Sequence, residues 1–384
     1  MALFSKNNVR QRAVGAATNG SPFSADGVLA ERDFVRALSL ERKRAERSRN
    51  AFGLMLVEVR PAPVAGERST VLQRMLPAIR ASIRETDVAG WHKQDAALGV
   101  IFTEMGPKDK DSILAALRAK VTAIVSSSLQ REDVDRLDVT FHWFPDDWKP
   151  VEPGHPVGKL YPDLVERNET HRIARSMKRG IDLLGATVAL IVLAPMFLAI
   201  AIAIRLTSPG PVLFRQKRIG QYGAPFTCLK FRSMHAVNDV EIHKDYVTRF
   251  IAGRVEPQPS ATNGKAVYKL TKDPRLTRVG TFLRKTSLDE LPQFINVLLG
   301  EMSLVGPRPP IPYELEAYDI WHRRRLVEVK PGITGLWQVN GRSRVRFEDM
   351  VRLDLRYATT WSVWLDIKIL FRTPFAVFSG DGAH

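Results

Sequence analysis

Apolar residues recur along this chain in two rhythms, and one long stretch has no rhythm at all. From Glu31 to Ser48 they return every three or four positions among Arg, Lys and Glu, which predicts an amphipathic helix. Gly53 to Val59 (GLMLVEV) is short and almost continuously apolar, and reads as a buried strand. Val71 to Ile83 is helical again, Val88 to Phe102 reads as a hairpin, Ser112 to Ser126 as a helix and Leu137 to Phe144 as a strand. This alternation predicts an α/β module with a mixed sheet over residues 29–147. Residues 171–384 predict a mostly helical domain, so the chain as a whole is read as α+β.

The stretch without rhythm runs from Ile181 to Ile204, with Asp182 as its one charge. As a straight helix it would extend ~36 Å, enough to cross a ~30 Å hydrocarbon layer. Pro195 interrupts it, removing a backbone hydrogen bond and crowding the preceding turn, and leaves arms of ~21 Å and ~14 Å that cannot span alone. The flanks are basic on both sides: Arg172, Arg175, Lys178 and Arg179 before, Arg205, Arg215, Lys217 and Arg218 after. Two basic sides place both ends in the cytoplasm. The expectation is a re-entrant helix hairpin at about 178–206, kinked at Pro195, in the inner membrane. A straight span and the core helix of a soluble protein are the alternatives. Between Phe347 and Phe378, Trp361, Trp364, Phe371 and Phe375 alternate with bases, as in helices lying in a membrane interface; core packing explains several of them equally well.

Composition narrows the function classes. The 384 residues are 45% hydrophobic and 26% charged, values of a folded protein with room for two domains. A net charge of +16 calls for a polyanionic partner: nucleic acid, an anionic lipid surface or a phosphorylated substrate. The chain has no helix-turn-helix, zinc-finger or RNA-binding signature, and its bases line the apolar segment, so nucleic acid is set aside. Cys228 is the single cysteine, which rules out a disulfide framework and reads as packing. Residues 1–28 read as a disordered lead without a signal peptide, and 148–170, rich in Pro and Gly, as a linker.

Candidate chemistry concentrates between Thr286 and Pro309 (TSLDELPQFINVLLGEMSLVGPRP). Asp289 and Glu290 are adjacent carboxylates that could hold a divalent cation; Arg284, Lys285 and Arg308 are bases that could hold phosphate. Against this, Ser287 and Glu290 fit a capping box, and Leu291, Phe294, Ile295 and Leu298 form an apolar stripe ending at Gly300. Pro292 suits a first turn, so a helix is predicted to start near Asp289. On these residues alone capping and catalysis both stand.

From about Arg172 onward the chain resembles the bacterial sugar transferases, monotopic phosphoglycosyl transferases. The blocks that carry the likeness are Phe214 to Gly220, Lys230 to Met234, Lys272 to Thr277, Ser287 to Pro292, Met302 to Pro309, Lys330 to Gly335 and Gln338 to Arg342. The resemblance implies transfer of a sugar-1-phosphate from a UDP-sugar to undecaprenyl phosphate, with UMP released, at the start of exopolysaccharide, capsule or O-antigen assembly. It makes Asp289 the nucleophile, Glu290 (with Asp289) the Mg²⁺ ligand, and Arg284 and Arg308 the phosphate and nucleotide contacts. Lys230, Arg232, Asp273, Arg275 and Pro309, in the same blocks, are expected on the substrate side. Many relatives carry Ser-Pro where this chain has Ala194-Pro195, which removes a hydroxyl that could steady the kink. The N-terminal order resembles the GGDEF-type nucleotide cyclases, but the signature turn reads Lys93-Gln94-Asp95-Ala96-Ala97 and Glu58 stands where an aspartate ligand is expected. That implies a degenerate domain for regulation, partner docking or homodimer formation. The competing reading is a catalytically inactive, membrane-tethered nucleotide sensor or scaffold. No residue decides which UDP-sugar is used.

Overall fold

A computed structural model describes residues 28–59, 65–105, 110–128, 131–144, 157–163, 172–235, 240–259, 266–268 and 275–378. The chain divides into two compact units, Met1–Trp148 with Gly158–Val165, and Lys149–Val157 with Glu166–His384. The lead expected over 1–28 lies outside the described residues except for Val28, which is buried.

In the first unit, α1 (Glu31–Ser48), β1 (Ala51–Val59), α2 (Ala65–Ser82), β2 (Val88–Lys93), β3 (Ala97–Met105), α3 (Lys110–Ser128) and β4 (Leu137–Phe144) follow the predicted order. The sheet runs β2-β3-β1-β4, and all three pairings are antiparallel. This corrects the mixed sheet expected from sequence. Strands β1 and β2 do run the same way through the α2 crossover, but β3 inserts between them. The parallel contact described here is the single bridge Leu29–Gly90. The stripe of α1 buries Phe34 and Leu38 against β2 and β3, where Gly90 and Gly99 leave room: a Cβ on Gly99 would lie 2.4 Å from the Phe34 ring. Arg42 on the same helix is buried, stacked 4.1 Å over Tyr161 and donating to the Leu160 carbonyl at 2.7 Å. Part of the segment read as linker therefore packs on α1.

The second unit opens with α4 (Arg172–Val192) and α5 (Ala194–Thr207), whose common axis turns by 60° at Leu193. No single described helix is long and apolar enough to cross a membrane; this bent pair passes jointly, by length and composition. Pro195 sits in the first turn of α5, where a missing N–H is tolerated, and Phe197 still donates to the Leu193 carbonyl at 2.9 Å. The outcome is a bent pair, broken beside Pro195 where the apolar run was expected to kink. Ile173, Met177, Leu184, Val188 and Ile191 of α4, and Leu198, Ile202 and Leu206 of α5, are exposed.

The polar face of α4 reaches into the core. Arg179 donates to the carbonyls of Val297 and Leu298 at 2.6 and 2.9 Å, Lys178 to the Val305 carbonyl at 3.1 Å and to Asp366 at 2.6 Å. Asp182 is buried and accepts from the Ser303 hydroxyl and the Leu304 N–H at 3.0 and 2.9 Å. The one charge in the apolar run thus anchors a strand. The further elements that bear on the site include the antiparallel pair β5 (Leu213–Ile219) and β6 (Pro225–Phe231), α6 (Val240–Ile251), α7 (Arg278–Thr286), α8 (Gln293–Leu299), β7 (Ser303–Val305), β8 (Gly332–Thr334), α9 (Phe347–Thr360) and α10 (Val363–Phe378).

Candidate active site

A cavity of about 360 Å³ in the second unit collects most of the predicted residues. Its floor is the short 3-10 turn Leu288–Glu290 between α7 and α8. Thr277 caps α7 by accepting from the Gly280 N–H at 2.9 Å. Gly280 is pressed so close to Ser233 that a Cβ would fall 1.8 Å from its carbonyl oxygen. Ser287 ends α7 in the left-handed region (φ 57°), and its hydroxyl accepts from Arg342 at 2.8 Å. Arg342 is itself left-handed (φ 48°), so two residues in a costly conformation meet beside the carboxylates, a feature that clusters at functional sites. The capping box expected from sequence is not formed. The α-helix begins at Gln293, after Pro292, and the Glu290 carboxylate turns to Lys230 instead.

Asp289 is buried (7% exposed), and burial raises its carboxyl to about 6, with Lys230 opposing and Glu290 reinforcing. Glu290 is held below the usual carboxylate range. Its own burial works the other way, but Lys230, hydrogen-bonded at 2.8 Å, outweighs it, helped by Arg308 and Arg218. The two neighbours are thus pushed apart, one toward its neutral form and one firmly charged, as in sites that divide labour between paired carboxylates. Asn296 sets this geometry: it accepts from the Leu229 N–H at 3.0 Å and donates to the Thr227 carbonyl at 2.8 Å, clamping α8 to the strand that carries Lys230.

The rim is cationic. Arg284 lines the cavity and donates to the Ser233 hydroxyl at 3.2 Å; Arg275 and Arg308 line it as well. Arg308 stands on the Gly306–Pro309 turn, which packs without side chains against the Lys330–Gly335 block. A Cβ on Gly306 would lie 2.2 Å from the Lys330 oxygen, and β7 pairs parallel with β8 just before the turn. Pro309 lines the cavity and its carbonyl accepts from Arg218.

Arg232 departs from the expectation. It is buried away from the cavity and donates to the Ser208 carbonyl and hydroxyl, both at 2.7 Å, tying β6 to the end of α5. It follows the last residue of β6, Phe231, and its bonds to Ser208 hold it at the helix end rather than at the cavity, where Lys230 lies. Asp273 lies outside the described residues. Among the described residues no group of three or more His, Cys, Asp or Glu could hold a metal. Mg²⁺ needs only one or two carboxylates when substrate phosphates complete its shell, so Asp289 and Glu290 fit it.

Sequence reasoning left several cavity residues unassigned. Arg218 and Arg342 sit inside quoted blocks, which was the available signal. His243, bonded to the Tyr313 hydroxyl at 2.6 Å, has no local motif. Its protonation is suppressed to about 4 by burial and then by Arg308, Arg275, Arg218 and Arg284, so it marks the centre of the cationic rim.

The pattern of the bacterial sugar transferase family matches residues 173–380. The undecaprenyl-phosphate galactose phosphotransferase of Salmonella typhimurium is 40% identical over 222 residues, 57% of this chain and 44% of that protein. The UDP-glucose:undecaprenyl-phosphate glucose-1-phosphate transferase of Escherichia coli K12 is 43% identical over 244 residues, 60% of this chain and 45% of that protein. The exopolysaccharide production protein ExoY of Rhizobium meliloti is 40% identical over 222 residues, 57% of this chain and 93% of that protein. The chain therefore spans less than half the length of the first two and nearly all of the third. Among solved structures, the GGDEF domain of DgcB from Caulobacter crescentus, in complex with c-di-GMP, aligns at 12% identity and a TM-score of 0.27. That alignment covers 40% of this chain and 90% of the other. At that score no shared fold follows for the first unit. The family match, in contrast, takes in more than half of the chain and every cavity residue described above, and the chain belongs to the bacterial sugar transferase family.

Proposed function

We propose that this chain transfers a sugar-1-phosphate from a UDP-sugar to undecaprenyl phosphate, through a covalent phosphosugar on Asp289. A carboxylate oxygen of Asp289 attacks the β-phosphorus, the bond from that phosphorus to the oxygen bridging the two phosphates breaks, and UMP leaves with the electron pair. An oxygen of the polyprenyl phosphate then attacks the same phosphorus, and the acyl-phosphate bond breaks to restore the carboxylate. The observation that carries this reading is the buried Asp289 beside a charged Glu290 held by Lys230, inside a rim of arginines. Burial weakens the hydration of the nucleophile, and Arg284 and Arg308 are suited to phosphate oxygens. Mg²⁺, held by Glu290 and Asp289, would screen the repulsion between carboxylate and diphosphate when bound. The product would start an exopolysaccharide, capsule or O-antigen chain. The bent pair α4–α5 supports a re-entrant seat in the inner membrane on an anionic lipid surface, with both flanks and the cavity facing the cytoplasm. The first unit, over about 29–147, would serve regulation, docking or homodimer formation.

The test is UMP release from UDP-glucose and UDP-galactose by the purified protein, with undecaprenyl phosphate present, together with trapping of the labelled adduct. Asp289→Asn should lose both turnover and adduct. A phosphosugar adduct on folded Asp289→Asn would overturn the assignment. Glu290→Gln should weaken the Mg²⁺ dependence, and an unchanged metal titration would move the metal elsewhere.

A further inference from the structure

The cavity has a second wall that the phosphoryl chemistry does not use. His243, Tyr246, Val247 and Phe250 line it from one face of α6, at the i, i+3, i+4, i+7 spacing. Tyr268 and Phe347 join them: the Tyr246 and Phe250 rings lie parallel, 6.3 Å apart, and Phe250 meets Tyr268 and Phe347 at 5.9 Å each. Part of this is ordinary packing: Phe347 is buried in the cluster of Ile251, Tyr318 and Val351, and Val247 and Phe250, both only partly buried, pack against that cluster. Tyr246 is not explained that way. Its hydroxyl is buried with no partner among the described residues, and a tyrosine chosen only to fill a core finds a bond for its oxygen or gives way to phenylalanine.

The order of chemistry along α6 gives the wall a direction. His243 sits among Arg308, Arg275, Arg218 and Arg284, where the diphosphate of the proposed donor would lie; Phe250 lies seven residues on, about 10 Å along the helix axis. A ligand with phosphates among the arginines and a flat ring at the aromatic wall matches that sequence of surfaces. We propose that Tyr246, Phe250 and Tyr268 hold the pyrimidine base of the donor nucleotide, with the Tyr246 hydroxyl donating to a base carbonyl. The inference rests on the UDP-sugar reading above and assigns the part of the cavity that recognises the nucleoside. Burial keeps the Tyr246 hydroxyl protonated, moving it up to about 12, so it remains a donor at neutral pH.

The experiment uses the full chain in detergent micelles, with UMP and inorganic pyrophosphate as separate probes by calorimetry. Tyr246→Phe removes one oxygen and keeps the ring; Phe250→Leu keeps bulk and removes the stacking surface. Melting curves establish that each variant is folded. UMP should bind roughly tenfold more weakly in Tyr246→Phe, the loss of one hydrogen bond. Phe250→Leu should weaken UMP by roughly tenfold or more, the loss of base stacking. Pyrophosphate affinity should stay within about twofold in both, since its contacts are the arginines. A parent that releases UMP from UDP-sugars, with both variants binding UMP unchanged, would overturn the subsite alone. Equal losses for UMP and pyrophosphate would also overturn it, by showing a general collapse of the cavity. A parent that releases no UMP from any UDP-sugar would remove the transferase reading and this inference with it.

Discussion

Asp182→Ala should destabilise the second unit from outside the cavity. The carboxylate is the acceptor for two buried donors, the Ser303 hydroxyl at 3.0 Å and the Leu304 N–H at 2.9 Å. Ser303 is fully buried and Leu304 is 6% exposed, so water cannot replace the lost acceptor. A hydrogen bond to a charged group is worth about 1.5–3 kcal/mol, and a buried donor left unmade costs about 1–3 kcal/mol. The two terms overlap, and about 3 kcal/mol is a reasonable net loss. For a unit of this size 1 kcal/mol moves the melting midpoint by about 2–4 °C, so Asp182→Ala should lower it by about 6–12 °C. Asp182→Asn retains an amide oxygen as acceptor and should fall about half as far. Scanning fluorimetry in detergent micelles measures both. UMP release should drop as well, because Ser303–Val305 leads straight into the turn that carries Arg308. An Asp182→Ala midpoint within about 2 °C of the parent, or an Asn variant as unstable as Ala, would refute the anchoring role.

His243 should impose a pH dependence on the stability of the ligand-free protein. Unfolded, it binds its proton near 6.5; folded, only near about 4, so the unfolded state holds more protons between these values. Stability present above pH 6.5 is therefore lost as the pH falls toward 4, and His243→Gln should flatten that slope in melting curves; an unchanged slope would place the titration elsewhere. A chain beginning at Glu166 should still release UMP, since the family match and all cavity residues lie downstream; a folded truncation without activity would give the first unit a part in the site. Ser176→Cys and Lys217→Cys, both at exposed positions on either side of the apolar run, should resist an impermeant thiol reagent on intact cells and react once the membrane is opened. Labelling of either one from outside would mean that the pair spans the bilayer.

Much of this protein was legible in short-range pattern. The boundaries Glu31–Ser48 and Leu137–Phe144 coincide with the observed elements, because apolar periodicity reports on which face is buried. Asp289, Glu290, Arg284 and Arg308 stand close together in sequence and line one cavity. Pro195 announced a break in the apolar run, since its ring and missing N–H act on adjacent turns. What local pattern could not supply were choices among distant partners. Ser287 and Glu290 satisfy a capping box on paper, yet Arg342, 55 residues away, takes the serine, and Lys230, 60 residues away, takes the glutamate. Charge-assisted bonds in a buried site outweigh a local cap. The place of β3 between β1 and β2 made the sheet antiparallel, a decision between pairings that strand periodicity does not distinguish. The size of the bend at Leu193 and the use of Asp182 as an anchor likewise depend on what packs beneath α4. Arg232 and Lys230 are two residues apart in one basic block, and only the tertiary structure sends one to a helix end and the other to the carboxylates. The sequence by itself determined which residues could do phosphate chemistry and which segments must avoid water, because those are properties of the side chains. The assignment of each base to its acid was decided by three-dimensional packing, because burial and distance set the strength of an ion pair and neither is written in sequence order.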